Sequence, residues 1–110
     1  MANHHNSEVW KRAIELSLEV YRVTVRFPDE ELFGLTAQMR SASIRAASKV
    51  AEAAFGEARD ALIELETMII VAARLEYLEK PAARRIYRLV RAALKSLAVA
   101  TPDRISSGTA

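Results

Sequence analysis

Cysteine is absent from the 110 residues, which removes disulfide scaffolds, thiol catalysis and Cys-ligated zinc together. Glycine and proline number three each, too few for a turn-rich β fold or a disordered linker. The only histidines, His4 and His5, are adjacent in a polar leading stretch. Two neighbouring imidazoles supply too few ligands for a defined metal site, so no metal and no cofactor is expected. No Glu-x-x-His pair of the kind that holds di-iron in helical bundles occurs, and neither a Gly-rich phosphate loop nor a Ser-His-Asp set can be assembled. The longest purely apolar run, Met68 to Ala73, falls far short of the ~20 residues of a membrane span. The first residues carry no apolar stretch of the secretory type. These absences predict a cytoplasmic protein that is not an enzyme and has no membrane partner.

What is present is helical periodicity. Hydrophobic residues make up 51% of the chain, enough for one small core in a domain of this length. Ser7 is a candidate N-cap, and Val9, Ala13, Leu16, Val20, Val23 and Phe27 follow at spacings of four and three. Pro28 ends this first helix, and Asp29-Glu30-Glu31 reads as a tight turn before a joint at Gly34. A second helix is expected from Leu35 or Thr36 to Ala54, with Met39, Ala42, Ala46, Val50 and Ala53 on its inner side. Phe55-Gly56 is the break signal before a third helix from Glu57 to Leu78, whose inner face runs Ala58, Leu62, Leu65, Ile69, Ala72, Leu75. Pro81 opens the fourth, which carries Ile86, Leu89, Val90, Ala93, Leu94 and Leu97 and stops at Thr101-Pro102. Four rods of similar length with short joints predict an all-α fold, an up-down antiparallel four-helix bundle over residues 8–100. Residues 1–7 and 101–110 are expected to be flexible ends. If Gly56 were absorbed into a helix, the second and third rods would fuse into one of about 65 Å; the glycine favours the hairpin.

Several residues, taken in order, resemble a known family. Trp10 with Ala13, Val20-Tyr21, Phe27-Pro28, Glu31, Gly34-Leu35-Thr36, Gln38, Arg40, Ala51-Glu52, Glu64 to Thr67 and Tyr77-Leu78 are similar to the four-helix-bundle proteins encoded by intervening sequences of bacterial 23S ribosomal RNA. That family is in turn similar to the accessory variability determinant of diversity-generating retroelements, a pentamer that binds reverse transcriptase and nucleic acid. The resemblance implies a homopentamer without enzymatic activity and a basic surface for RNA or DNA. Where the family has a run with proline and a final glycine, this chain has Ala47 and Ala53, replacements expected to regularise the helix. A segment of about three helical turns before the third helix is also missing. Natural divergence and engineering both account for such changes.

The charge pattern supplies the candidate site. Net charge is only +2, but no acid occurs from Lys80 through Pro102. Arg84, Arg88, Arg91 and Lys95 are spaced four, three and four apart, which lines them on one helix face beside Arg85. Such a stripe suits a phosphate backbone, and Tyr87 alone is no stacking platform, so any recognition is by charge and shape. The residues by themselves favour the plainer reading, a solvated outer face or one neutralised by acids of the third helix. Glu52, among small apolar neighbours, is expected to be partly buried beside an arginine, and Glu64 and Glu66 to point to different sides. The apolar surface of helices two and three exceeds what one subunit covers, which predicts self-association. The alternative is an engineered or structural assembly component, docking on a second protein, with no nucleic-acid role.

Overall fold

The computed structural model describes residues 7–101, so the expectations for residues 1–6 and 102–110, His4 and His5 included, lie outside the described residues. Four helices follow one another: α1 (Glu8–Thr24), α2 (Leu35–Ala51), α3 (Phe55–Arg74) and α4 (Lys80–Ala100). A single 3-10 turn, Asp29–Glu31, lies between α1 and α2. Each helix packs on the two beside it around the bundle, α1 on α2 and α4, α3 on α2 and α4. Short joints force the up-down antiparallel arrangement. None of these helices is long and apolar enough to cross a membrane.

The inner stripe of α1 is buried from Val9 to Phe27, as its spacing requires. Ser7 caps the helix, its Oγ accepting from the Trp10 amide at 3.1 Å. In α2 the core positions are Met39, Ala42, Ala46, Ala47 and Val50. In α3 they are Ala58, Ala61, Leu62, Leu65, Ile69 and Ala72, and in α4 Ile86, Val90, Ala93 and Leu97. The alanines bring α1 and α2 close enough for Ser17 and Ser43, both buried, to share a hydrogen bond of 3.0 Å between their hydroxyls.

The helix two to helix three joint differs from expectation. The chain makes the hairpin, but at Glu52-Ala53-Ala54, and Gly56 sits inside the first turn of α3. Ala53 takes a left-handed conformation, φ 60°. The Ala54 amide then reaches back to the Lys49 carbonyl at 2.8 Å and the Ala53 amide to Val50 at 2.9 Å. This is a Schellman closure, which satisfies carbonyls that the helix end leaves without partners. Ala53 therefore breaks the helix that it was expected to regularise, and lies exposed instead of in the core. The same closure ends α3 at Arg74, earlier than Leu78. Glu76 has φ 64°, and the Tyr77 and Glu76 amides bond the Ala72 and Ala73 carbonyls at 2.9 and 3.0 Å. Leu75, expected in the core, is turned out by this ending and is exposed.

Large exposed apolar side chains do occur, although not mainly where expected. Helix two contributes only Ile44, and α3 adds Ile70, Val71 and Leu75. Leu18, Tyr21 and Val25 on α1, with Leu32 and Phe33 before α2, form the larger group.

A left-handed backbone costs a Cβ-bearing residue about 1–2 kcal/mol, part of which glycine returns as unfolded-state entropy. Ala53→Gly and Glu76→Gly are each expected to stabilise the bundle by about 0.5–1 kcal/mol, or several degrees in Tm. Thermal and urea unfolding of the two variants check this; a loss of stability in both would contradict the strain.

Candidate nucleic-acid interface

Burial on α4 fixes its orientation. Ile86, Val90, Ala93 and Leu97 are each at most 2% exposed, and the opposite face carries Arg84, Arg88, Arg91 and Lys95, all exposed. The stripe spans about 16 Å at 1.5 Å per residue, with neighbouring Cβ atoms about 5–6 Å apart. Proline in the first turn and the absence of acids let this face form with no internal ion pair.

The five cations do not share one environment. Arg85 turns toward α1, where its Nη2 and Nε lie 2.6 and 2.7 Å from Glu19 Oε2. Arg91 turns toward α3 and pairs with Glu66 at 3.0 Å. Arg84, Arg88 and Lys95 have no carboxylate within 4 Å among the described residues. Acids of neighbouring helices thus neutralise two of the five and leave three free.

Glu19 is the one buried carboxylate among the described residues, 7% exposed, and the sequence reading passed over it. Position 19 falls three after Leu16 and four before Val23, so it lies on the edge of the buried stripe, a signal that was available. Arg22 on the same helix also reaches it, at 3.2 Å. Burial alone would raise its pKa, but hydrogen bonds from Arg85 and Arg22, and the charges of both, outweigh burial and hold it below the ordinary carboxylate value. Around this pair opens a hollow of about 690 Å³ between α1 and the start of α4, lined by Arg22, Arg26, Tyr77, Pro81 and Arg85 among others. Arg26 has no acidic partner within ion-pair distance among the described residues, but Glu19, Glu76 and Glu79 line the same hollow, so its charges balance and the positive surface of α4 does not extend into it.

The remaining acids are placed as follows. Glu64 pairs with Arg45 of α2 and Glu66 with Arg91 of α4, on different sides as expected. Glu52 is exposed, not partly buried, and its partner is Lys49 at 3.3 Å; the Ala53 turn swings it away from the core. Among the described residues no three His, Asp or Glu side chains gather as a metal site would require.

At the far end of the α1–α2 connection the polar contacts are structural. Glu31 Oε1 accepts from the Leu35 amide at 3.1 Å and Oε2 from the Tyr77 hydroxyl at 3.1 Å. The hydrogen bond to Glu31 raises the Tyr77 pKa. Phe27 and Tyr77 rings meet at 5.4 Å, and Arg40 Nε donates to Thr24 Oγ1 at 2.9 Å. The family model of the 23S rRNA-intervening sequence protein matches residues 5–98. The chain belongs to that family. No curated protein matches it. In this intervening-sequence protein, Phe27, Glu31, Leu35, Arg40 and Tyr77, which carried much of the resemblance, hold a helix junction together.

Because the folded pKa of Glu19 lies below its unfolded value of about 4.3, its pairing stabilises the fold above that pH. The contribution disappears as pH falls through the folded pKa. Glu19→Gln should cost about 1–2 kcal/mol at neutral pH, a moderate figure because both arginines are largely solvated. It should also flatten the loss of stability below about pH 4.3. Urea unfolding across that range tests both, and an unchanged acid limb would assign the transition to other carboxylates.

Proposed function

We propose that this family member acts by association: a non-catalytic, homo-oligomeric helical bundle that binds the backbone of RNA or DNA through the outer face of α4. The observation that carries the reading is the set Arg84, Arg88 and Lys95, which stand opposite the core with no carboxylate in ion-pair reach among the described residues. An outer face needed only for solubility would mix signs along the helix; this one has no acid. The family's name connects it with ribosomal RNA, in keeping with an RNA partner. Recognition is by charge and shape, since phosphate contacts position a protein without reading bases. Self-association draws support from the exposed Leu18, Tyr21, Val25, Leu32 and Phe33. Apolar groups collected on one part of a surface mark interaction sites. A closed pentamer and a cytoplasmic setting are what the resemblance leads one to expect.

The apolar side chains equally favour a second reading, a purely structural assembly component with no nucleic-acid role. Salt dependence separates the two. Each phosphate neutralised contributes about 0.7–0.9 to the slope of log affinity against log salt. Replacing Arg84, Arg88 and Lys95 by Ser should weaken binding to RNA and DNA and lower that slope by about 2–3 per subunit. Fluorescence anisotropy over a salt series measures it. Affinity and slope unaffected by the triple replacement would leave the structural reading in place.

A further inference from the structure

Within the α4 stripe, Arg91 alone carries a carboxylate. Arg84, Arg88 and Lys95 stand free of acids among the described residues, whereas Arg91 Nη1 donates to Glu66 Oε2 of α3 at 3.0 Å. The spacing puts Arg91 between Arg88 and Lys95, inside the row and not at its end. The row of cations is therefore interrupted at an inner position.

The two halves of this pair differ in access to solvent. The Arg91 side chain is 57% exposed and that of Glu66 only 16%. The acid is held in the seam between α3 and α4, and the guanidinium reaches it from outside. One N–H of Arg91 is directed at Glu66, which leaves the other donors of the fork to a second anion. A phosphate can thus reach Arg91 while the helix stays where it is. It would meet a neutral pair, however, with a carboxylate that burial keeps in place behind the guanidinium.

No other acid of α3 plays this part. Glu57 and Glu64 pair with Lys49 and Arg45 of α2. Arg59, Ile63 and Ile70, which share the side of Glu66, bring no negative charge. On the α1 flank, Glu19 is engaged by Arg85 and Arg22 and touches no member of the stripe. Removing the charge of Glu66 would accordingly leave the whole row from Arg84 to Lys95 without a carboxylate in ion-pair reach.

We infer that Glu66 is a built-in competitor for the phosphodiester backbone, which occupies Arg91 in the unbound protein and holds the affinity of the stripe down. The inference rests on the α4 reading proposed above and names what limits that site. Partly solvated pairs of this kind are weak, so a polyanion already held by Arg84, Arg88 and Lys95 can draw Arg91 into contact. The carboxylate that stays behind reduces the gain.

Fluorescence anisotropy of the full chain over a salt series tests it, with a fluorescein-labelled RNA duplex and a DNA duplex of equal length. Glu66→Gln keeps the shape and an acceptor for Arg91 and removes only the charge. It should steepen the slope of log affinity against log salt by about 0.7–0.9, which corresponds to about five- to eightfold tighter binding near 0.1 M salt. The gain should appear on whichever duplex the wild type binds more tightly. Glu64→Gln alters the net charge equally, on the α2 side, and should change neither quantity. Arg91→Gln added to Glu66→Gln should return both to the wild-type level. The pair is solvated enough that Tm should move by no more than about 3 °C. Salt-dependent binding that Glu66→Gln leaves unaltered would overturn the competitor, with the α4 interface still standing on Arg84, Arg88 and Lys95. An equal gain from Glu64→Gln would assign the effect to net charge, and a gain that survives the loss of Arg91 would assign it to simple repulsion by Glu66; each refutes the inference. If neither the wild type nor Glu66→Gln binds either duplex, it falls together with the proposed function.

Discussion

Side-chain size in the core sets the spacing of this bundle, and much of the surface follows from it. Ala13, Ala42, Ala46, Ala47, Ala58, Ala61, Ala72 and Ala93 supply more than a third of the buried apolar positions. Small side chains allow helix axes to approach, and the 3.0 Å contact between the buried hydroxyls of Ser17 and Ser43 is the direct sign of it between α1 and α2. An approach that close leaves a narrow seam. Leu18, Tyr21 and Ile44 on the outer sides of these two helices remain about half exposed. Dense packing gains dispersion contacts inside, while these apolar side chains stay outside the core.

Electrostatics divide α4 in a comparable way. Two of its cations are used internally: Arg85 ties it to α1 through Glu19, and Arg91 ties it to α3 through Glu66. The two links differ in kind. Glu19 is buried and receives two guanidinium groups, so the loss of one partner would leave a costly charge in place. The Arg91 pair is more solvated and worth correspondingly less. Arg84, Arg88 and Lys95 contribute nothing to either link. Arg84 and Arg88, four apart, repel at a mild cost to the helix of a few tenths of a kcal/mol, on the order of a like-charge pair at that spacing. A helix that carries such a cost without an internal gain is the place to look for an external partner.

The periodic features were legible in the sequence because they depend on one helix at a time. The spacing of Val9, Ala13, Leu16, Val20, Val23 and Phe27 contains the apolar part of the buried face of α1, though not the buried Ser17, Glu19 and Thr24, and the spacing of Arg84, Arg88, Arg91 and Lys95 places them opposite the core. Helix ends were less legible. Gly56 looked like the break, but the chain turns at Ala53, where the backbone hydrogen bonds of a Schellman closure outweigh the preference of alanine for a helix. The fate of Leu75 followed from an unforeseen left-handed Glu76. Which cations are paired was not legible at all, since Arg85 meets an acid 66 positions away and that meeting exists only once α1 and α4 are packed.

The two candidate surfaces occupy different sides of the protomer, and this bears on how they work together. Along α1, Glu19 and Arg22 face α4, whereas Ser17 and Thr24 face α2. Tyr21 stacks under Arg40 of α2, so the exposed apolar group belongs to the α1–α2 side. The free cations stand on α4, which packs only on α1 and α3. Contact between copies through the α1–α2 end would therefore leave the stripes of α4 open. Each added subunit would bring another set of Arg84, Arg88 and Lys95 within reach of the same polyanion. Binding at one stripe raises the effective concentration of the next, so weak protomer contacts combine into a strong one only after assembly. With a net charge of +2, a lone subunit has little long-range field to draw a nucleic acid; repetition of a local stripe supplies what the total charge does not.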